Sequence, residues 1–330
     1  MDVDWKDELK AEHLLQAQRA WGLHGAPVYF REGESFVYRA RHGTQDLALR
    51  ITHPGHRDPA ALESELAFME YVGSAGVRVP RVVPSRQGRR IETLEIAGFT
   101  WYACVFEWVA GEPMVQVKEA WQAPAFTEWG RQIGRLQRLA MEATQRGLHF
   151  PRHRFDAPGH YALDDNYLER FPADRDSMLA LQARIAAVEI TPRTFGLCHC
   201  DLHGGNLLYD AGALHCIDFD DCCEHYFLFD LLIPVYYAIL MEQEDLEGAA
   251  RRFALPFFRG YREEGPLAAA DFAPAGDFLR IRDYELKSIG QRWGVDPKQP
   301  WYAVPARNVR EGNPFVGFPW ADWFEEAGRS

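Results

Sequence analysis

Apolar residues recur along this chain at two different spacings, and the change of spacing divides the sequence into two parts. Up to about residue 109, short apolar runs alternate with polar turns, which is typical of antiparallel β-strands. Beyond the Gly/Pro turn at 110–113, apolar positions recur every three or four residues, as in amphipathic helices. The pattern predicts an α+β fold with a strand-rich part at 1–109 and a larger, mostly helical part at 110–330.

The first part is predicted to hold a small antiparallel sheet and two helices. Helical spacing indicates a helix at 5–21, and Asp58 followed by Pro59 indicates the start of a second helix that reaches Val72. Strand-like runs lie at residues 28–31, 36–40, 46–51, 78–83, 90–96 and 99–109. Because only short polar turns separate the first three runs, they predict an antiparallel meander.

The second part is predicted to be mainly helical. Helical periodicity covers residues 125–143, 178–188 and 276–293. Residues 151–177 are rich in Pro, Asp and Arg, which indicates irregular chain. The segment 296–330 holds many aromatic residues and prolines, which favours a segment that is anchored on the protein. Two apolar runs at 207–209 and 214–217 flank a turn that contains Gly212, and this pattern predicts a β-hairpin.

Polar residues on both sides of this hairpin carry the candidate chemistry. His199, Asp201 and Asn206 precede it as H-x-D-x-x-x-x-N, the spacing of kinase catalytic loops, and Asp218 follows it. Phosphoryl transfer needs a carboxylate that accepts the proton of the attacking hydroxyl, and oxygen ligands for Mg²⁺. We therefore assign Asp201 as the base, and Asn206 and Asp218 as metal ligands. For His203, a phosphate contact and simple packing both remain open.

A lone carboxylate, Asp230, interrupts the apolar run 226–240. Because an unpaired buried charge is costly, we expect Asp230 to accept hydrogen bonds from backbone amides of the loop around Asp201. Asp220 and Asp221 are further carboxylates beside Asp218. Metal assistance, attraction of a cationic substrate, and solvated or turn-capping roles stay open for this pair.

A cation in the first part, Arg50, lies on an otherwise apolar strand. It is either an outward-facing strand residue or a cation that faces the phosphates of a nucleotide. The helix that follows places Glu63 and Glu65 within reach of it, and in a kinase lobe such a carboxylate holds the strand cation over the phosphates. We favour Glu65 over Glu63 because Glu65 lies within the apolar face of the helix.

Two further positions in the first part are candidate nucleotide contacts. The hairpin tip 33–35 ends in Ser35 and is a weak candidate for a phosphate clamp, since it lacks a glycine-rich pattern. The long apolar strand 99–109 ends where kinases have their hinge. There the Glu107 carbonyl and the Val109 amide are candidate adenine contacts.

Composition narrows the function classes. Hydrophobic residues make up 47% and charged residues 25%, as in ordinary globular proteins, and the formal net charge is −12. Such an acidic chain argues against nucleic acid as a partner or substrate. The sequence contains no apolar run long enough for a bilayer and no signal peptide, so we expect a cytoplasmic protein without membrane contact. Six cysteines are predicted to be reduced and structural, with zinc binding as the alternative.

These motifs resemble a known family. The sequence H-C-D-L-H-G-G-N-L-L-Y, followed by C-I-D-F-D-D, is similar to the signature of the aminoglycoside phosphotransferase-like kinases, a protein-kinase-like superfamily. L-A-L-R-I, E-L-A-F-M-E-Y-V and V-F-E-W-V-A-G-E look most like the branch of stress response kinase A and homoserine kinase type II. The resemblance implies a bilobal fold, with an N-lobe at 1–109 and a C-lobe at 110–330. It also implies ATP, with GTP as an alternative, and Mg²⁺ as cofactors.

The chain departs from the family pattern at three positions. Cys200 replaces a usual glycine, which is tolerable if the backbone there is not left-handed. Arg50 replaces the usual lysine; it keeps the charge but is bulkier and binds phosphate through a planar fork. Gln137 stands where a helix histidine is common.

The leading hypothesis is an ATP- and Mg²⁺-dependent kinase that phosphorylates a hydroxyl of a small molecule. A protein Ser/Thr kinase of the stress response kinase A type is the alternative within this class. A nucleotide-binding pseudokinase is a second alternative, motivated by Arg50. A cysteine hydrolase built on Cys200 and His203 is a third, although it leaves Asp201, Asn206 and Asp218 without a role.

Overall fold

The chain forms two compact units in the computed structural model, which describes residues 8–32, 35–157, 165–240, 242 and 244–329. The first unit comprises Met1–Gly111 and two short later segments, Phe150–Arg152 and His215–Asp220. The second comprises Glu112–His149, His153–Leu214 and Asp221–Ser330. The main break in the chain therefore follows Gly111. No helix among the described residues is long and apolar enough to cross a bilayer.

The first unit is built on one antiparallel sheet. Its strands are β1 (His24–Glu32), β2 (Ser35–His42), β3 (Gln45–Thr52), β4 (Val82–Val83), β5 (Glu92–Ile96) and β6 (Phe99–Glu107). The strand order is β1-β2-β3-β6-β4, and β5 also pairs with β6. Antiparallel pairing of β1 with β2 and of β2 with β3 confirms the predicted meander. Alternate residues of β3, Leu49 and Ile51, are fully buried and pack into the core with Trp101.

Two helices accompany this sheet, α1 (Ala11–Trp21) and α2 (Pro59–Ser74). The start of α2 is as predicted, because the Asp58 carboxylate accepts a hydrogen bond from the Ala61 amide at 2.7 Å. The helix predicted at 5–21 begins at Ala11, and residues 5–7 lie outside the described residues. The strand predicted at 78–83 is wrong except for its last two residues. Pro80 has no amide hydrogen for a sheet ladder, which limits pairing there.

The short strands of the second unit form the hairpin with one neighbouring strand, and a separate pair. They are β7 (Glu112–Pro113), β8 (Phe195–Cys198), β9 (Leu207–Asp210), β10 (Ala213–Cys216), whose last two residues belong to the first unit, and β11 (Cys223–Tyr226). The predicted hairpin is confirmed as β9 and β10, and β9 also pairs with β7. Its turn residues Ala211 and Gly212 both have positive φ, as a two-residue type I′ turn requires. Strands β8 and β11 pair separately.

Helices form most of the second unit. They are α3 (Ala123–Gln145), α4 (Asp165–Arg170), α5 (Arg175–Ala186), α6 (Phe227–Leu240), α7 (Leu246–Glu264), α8 (Ala275–Arg292), α9 (Pro300–Glu311) and α10 (Trp320–Glu326). The interpretation of 151–177 as irregular chain is wrong for α4 and for the start of α5. Pro and Asp there mark helix starts rather than loop. The predicted anchoring of the C-terminal segment is confirmed, because Trp323 and Phe324 of α10 are buried.

Helices α3 and α7 touch backbone to backbone. A Cβ atom at Gly130 would lie 1.8 Å from the carbonyl oxygen of Phe257, and one at Gly260 would lie 1.8 Å from that of Thr127. Each glycine therefore allows the opposite helix to approach closer than any side chain permits.

A buried carboxylate, Asp283 of α8, fastens the C-terminal segment. Its Oδ1 accepts hydrogen bonds from the Tyr236 hydroxyl at 2.6 Å and from Asn308 at 2.9 Å, and its Oδ2 accepts one from Asn313 at 2.6 Å. All three donors are neutral. Burial raises the pKa of Asp283 to about 7, against these hydrogen bonds, which lower it.

The Asp283 carboxyl predicts a pH-dependent stability. In the folded protein it keeps a proton that the unfolded chain loses near pH 4, so its stabilisation is largest at low pH and is lost as the pH rises through about 7. We expect the stability advantage of the wild type over Asp283→Asn to fall by on the order of 2 kcal/mol between about pH 5 and about pH 8. Urea denaturation at several pH values measures it. Asp322→Asn, at an exposed carboxylate, is the control, and a difference that does not vary with pH would contradict the prediction.

Gly130→Ala tests the helix contact. We expect it to lower the free energy of unfolding by about 1–3 kcal/mol, because the new methyl group collides with the backbone of α7. Gly317→Ala is the matched control, since a Cβ atom there has no neighbour within 4 Å. Thermal unfolding of both variants makes the comparison, and equal melting temperatures would argue against the close contact.

Candidate active site

Arg50 and Glu65 form a buried ion pair in the first unit. The two terminal nitrogens of Arg50 donate to the two carboxylate oxygens of Glu65 at 2.7 Å and 2.8 Å. Glu65 is fully buried, and the guanidinium of Arg50 lies over the Phe106 ring at 5.2 Å. Glu63 instead is exposed and pairs with Arg90 at 3.2 Å. Glu65, and not Glu63, is therefore the carboxylate that holds the strand cation.

The other residues predicted in the first part occupy the ends of strands. The hydroxyl groups of Ser35 and Thr52 lie 2.9 Å apart across β2 and β3, while Gly33 and Glu34 of the predicted tip lie outside the described residues. Glu107 ends β6, and its amide donates to the Arg81 carbonyl at 2.9 Å. Val109 follows two residues later. The assignment of Glu107 and Val109 as adenine contacts stays a prediction.

Asp218 and Asp220 follow β10 and differ in their surroundings. The backbone of Asp218 is left-handed, with φ 65°. Asp220 is buried, and its Oδ2 accepts hydrogen bonds from His56 at 2.6 Å and from Arg57 at 3.1 Å. Burial alone would raise the pKa of Asp220, but Arg57 and His56 hold it well below its usual range. Asp220 is therefore a paired structural carboxylate in the first unit rather than a solvated one.

In the second unit, the predicted catalytic loop lies between β8 and β9. Cys200 has φ 65°, so the condition under which it was expected to replace glycine easily is not met. Asp230 offsets this strained conformation: its Oδ1 accepts the Cys200 amide at 2.8 Å, and its Oδ2 accepts from Gln137 at 3.1 Å. The amide acceptor role predicted for Asp230 is thus confirmed. Burial raises the pKa of Asp230 to about 7.

Asp201 is the central carboxylate of this loop. Its Oδ1 accepts a hydrogen bond from Arg282 at 2.7 Å, and its Oδ2 accepts one from Asn206 at 3.1 Å. The Nε2 of His203 lies 3.5 Å from the same Oδ2. Burial would raise the pKa of Asp201, but His203 and Arg282 outweigh it and lower the pKa to about 2. Asp201 is therefore an ionised, oriented carboxylate at neutral pH.

Arg282 is the residue that sequence reasoning missed. It lies on α8, 81 residues from Asp201, and one guanidinium contacts both Asp201 and Glu285, the latter at 3.0 Å. The Tyr237 hydroxyl accepts a further hydrogen bond from it at 3.0 Å. The same helical segment holds several other polar residues, among them Arg280, Asp283 and Lys287. Nothing in the sequence pattern distinguishes Arg282 from them.

The residues assigned to the metal fit a hard cation. Among the described residues, the Oδ1 atom of Asn206 is buried and accepts no hydrogen bond, while its Nδ2 is engaged by Asp201. An orphaned buried acceptor is costly unless something binds it. Asn206 thus offers an amide oxygen and Asp218 offers carboxylate oxygens, the donor types that Mg²⁺ prefers.

His203 and the cysteines have packing contacts. The Nδ1 of His203 accepts the Gly205 amide at 2.9 Å, and its ring lies 4.8 Å from that of Tyr237. All six cysteines are buried. The sulfur of Cys200 faces that of Cys223 at 3.3 Å, so it does not present a nucleophile to a substrate.

The chain is similar to a known protein family and to individual kinases. A family model described as the phosphotransferase enzyme family matches residues 28–272. Amicoumacin kinase of Bacillus subtilis (strain 168) is 25% identical to the chain over 325 residues, which cover 92% of this chain and 93% of that protein.

Solved structures support the fold. The amicoumacin kinase hAmiN, determined in complex with AMP-PNP, Ca²⁺ and Ami, superposes with a TM-score of 0.87 at 22% identity, covering 98% of this chain and 99% of that one. A microcompartment-associated aminopropanol kinase gives a TM-score of 0.69 at 20% identity, covering 97% and 99%. The predicted protein-kinase-like fold, with a strand-rich N-terminal part and a helical C-terminal part, is confirmed.

Arg282→Met is expected to destabilise the protein by about 3–5 kcal/mol, because it leaves the buried Glu285 and the half-buried Asp201 without their cation. Adding Glu285→Gln removes one of these charges and should recover part of the loss. Chemical denaturation of the single and double variants measures both effects. Arg280→Met, at an exposed position of the same helix, is the control. Additive losses in the double variant would contradict the shared ion pair.

Proposed function

This chain belongs to the phosphotransferase enzyme family, and we propose that it transfers the γ-phosphate of ATP to a hydroxyl group of a small molecule. The observation that carries the proposal is the arrangement around Asp201. An ionised carboxylate is fixed by Arg282 and by Asn206, and the remaining oxygen of Asn206 is unpaired among the described residues. Asp201 can therefore orient an attacking hydroxyl group, and the Oδ1 atom of Asn206 can bind a metal ion.

In this proposal Asp201 accepts a hydrogen bond from the attacking hydroxyl and takes its proton as the hydroxyl oxygen bonds to the γ-phosphorus. The bond between that phosphorus and the β–γ bridging oxygen breaks, and ADP leaves. A pKa of about 2 makes Asp201 a weak base, which suits phosphoryl transfer, where positioning matters more than proton abstraction. Arg282 keeps the carboxylate ionised and fixes its direction. Tyr237 limits the rotation of Arg282 in turn.

Arg50 binds the nucleotide phosphates. A guanidinium carries five N–H groups, and Glu65 takes one from each terminal nitrogen. The second N–H of each terminal nitrogen remains to donate to a phosphate oxygen. The bidentate pair fixes the plane of the fork, so Arg50 serves where most kinases place lysine.

Asn206 and Asp218 hold Mg²⁺ in this proposal. When bound, the ion neutralises charge that develops on the phosphate oxygens. The two residues supply hard oxygen ligands, and phosphate and water complete the ligand set. His203, Ser35, Glu107 and Val109 are assigned to nucleotide binding, with ATP preferred and GTP as the alternative.

The acceptor is proposed to be a polar small molecule. The three similar proteins named above are kinases of amicoumacin or of aminopropanol, which are small molecules rather than proteins. The formal net charge of −12 favours a cationic or neutral acceptor over an anionic one.

Asp201→Asn tests the mechanism. We expect it to lower kcat by about 10²–10⁴-fold, because the amide cannot accept the proton, while the affinity for the nucleotide stays nearly unchanged. ATP consumption with Mg²⁺ is measured against amicoumacin, aminopropanol, choline, homoserine, methylthioribose, aminoglycosides and a generic protein. Asp210→Asn, at the exposed hairpin turn, is the control.

Three outcomes separate the hypotheses. Turnover of a small molecule that depends on Asp201 supports the proposal. Turnover with the protein substrate alone supports the protein-kinase alternative. Nucleotide binding without transfer to any acceptor supports the pseudokinase alternative.

A further inference from the structure

The backbone on both sides of Asp218 is fixed within the first unit. Before it, the Cys216 amide donates to the Arg78 carbonyl at 2.8 Å. After it, Phe219 is fully buried, and its ring centroid lies 6.2 Å from that of Phe68 on α2. The proposed metal ligand therefore belongs to a short span between two anchored points.

The strongest anchor is Asp220. Its carboxylate accepts from His56 at 2.6 Å and from Arg57 at 3.1 Å. Its carbonyl oxygen accepts from the Nε and Nη2 atoms of Arg57 at 3.3 Å and 3.2 Å, and also from Arg152. Three basic side chains thus converge on one residue. Both its side chain and its backbone are held.

We call the contacts of His56, Arg57 and Arg152 with Asp220 the clamp. The clamp matters because Asp218 has a left-handed backbone, with φ 65°. That conformation costs an L-residue about 1–2 kcal/mol, and it persists only where the surroundings enforce it. A residue fixed two positions further on limits the backbone angles that Asp218 can adopt. Those angles set the direction of the Cα–Cβ bond from which the Asp218 carboxylate projects.

The clamp also contacts α2, the helix that carries the partner of Arg50. His56 and Arg57 directly precede Asp58, the N-cap of α2, and Arg152 donates to the Ala61 carbonyl in the first turn at 3.0 Å. The same helix carries Glu65, the partner of Arg50. Within the first unit, one helix therefore supports both groups that are assigned to the phosphates and the metal.

We propose that Asp220 is a positioning residue, which, held by His56, Arg57 and Arg152, presents the carboxylate of Asp218 to the metal–nucleotide complex. This inference rests on the proposed function, in which Asp218 is a metal ligand.

A competing assignment is that Asp220 binds the metal itself. Its Oδ1 atom is buried and accepts no hydrogen bond among the described residues. The two assignments differ in how Asp220→Asn compares with Arg57→Met. If Asp220 were a ligand, Asp220→Asn would remove a charged metal ligand and would weaken metal binding much more than Arg57→Met does. If Asp220 positions Asp218, the two variants weaken metal binding to a similar degree.

Mn²⁺ binding to the full chain with AMP-PNP, followed by the EPR signal of free Mn²⁺, measures this without catalysis. We expect Asp220→Asn and Arg57→Met each to weaken Mn²⁺ binding by about 10–100-fold, as the loss of groups that orient a metal ligand does. Arg57→Lys keeps one charge but not the fork, so its affinity should fall between wild type and Arg57→Met. Arg90→Met is the matched control, because it removes an exposed ion pair from α2 and should leave the affinity unchanged.

Unchanged or tighter Mn²⁺ binding in Arg57→Met would overturn the positioning role. Asp218→Asn separates this failure from that of the proposed function. If Asp218→Asn abolishes Mn²⁺ binding while the Asp220 and Arg57 variants retain it, only the positioning role fails. If Asp218→Asn retains Mn²⁺ binding, the metal assignment fails and the positioning role fails with it. Thermal unfolding checks that each variant is folded, and the Arg57 series decides the question if Asp220→Asn is not.

Discussion

Burying an ionised group without a partner is costly, and this constraint shapes the surroundings of Glu65, Asp201 and Asp230. Glu65 is neutralised by Arg50 and Asp201 by Arg282, in each case at 2.7 Å. Asp230 has no cation and instead takes a backbone amide of the catalytic loop. Each partner stabilises the carboxylate that it contacts and also fixes the orientation of that carboxylate. The same contacts therefore provide both stability and orientation.

Two residues near these carboxylates have a strained backbone. Cys200 and Asp218 are both left-handed, although neither is glycine. Cys200 donates its own amide to Asp230, and Asp218 lies two residues before Asp220, which His56 and Arg57 hold. Tertiary contacts therefore hold a backbone conformation that the residues themselves disfavour. A loop in which every residue had its preferred backbone angles would orient these carboxylates in other directions.

Local signals in the sequence predicted the meander, the Asp58-Pro59 helix start and the hairpin, because each depends on neighbouring residues. The partner of Asp230 was also predictable, since a lone charge in an apolar run demands one. Arg282 was not, because its contact with Asp201 spans 81 positions and spacing on a helix carries no information about a distant loop. The left-handed backbone at Cys200 was not predictable either. Local preference disfavours that conformation, and a tertiary contact with Asp230 enforces it.

The hydrogen bonds that Asp283 accepts from Asn308 and Asn313 have a consequence for biosynthesis. The core of the second unit also includes Phe324, so this unit cannot close until residues beyond that point have left the ribosome. The first unit incorporates residues 215–220 and must likewise wait for distant chain. Both units therefore finish folding late in translation.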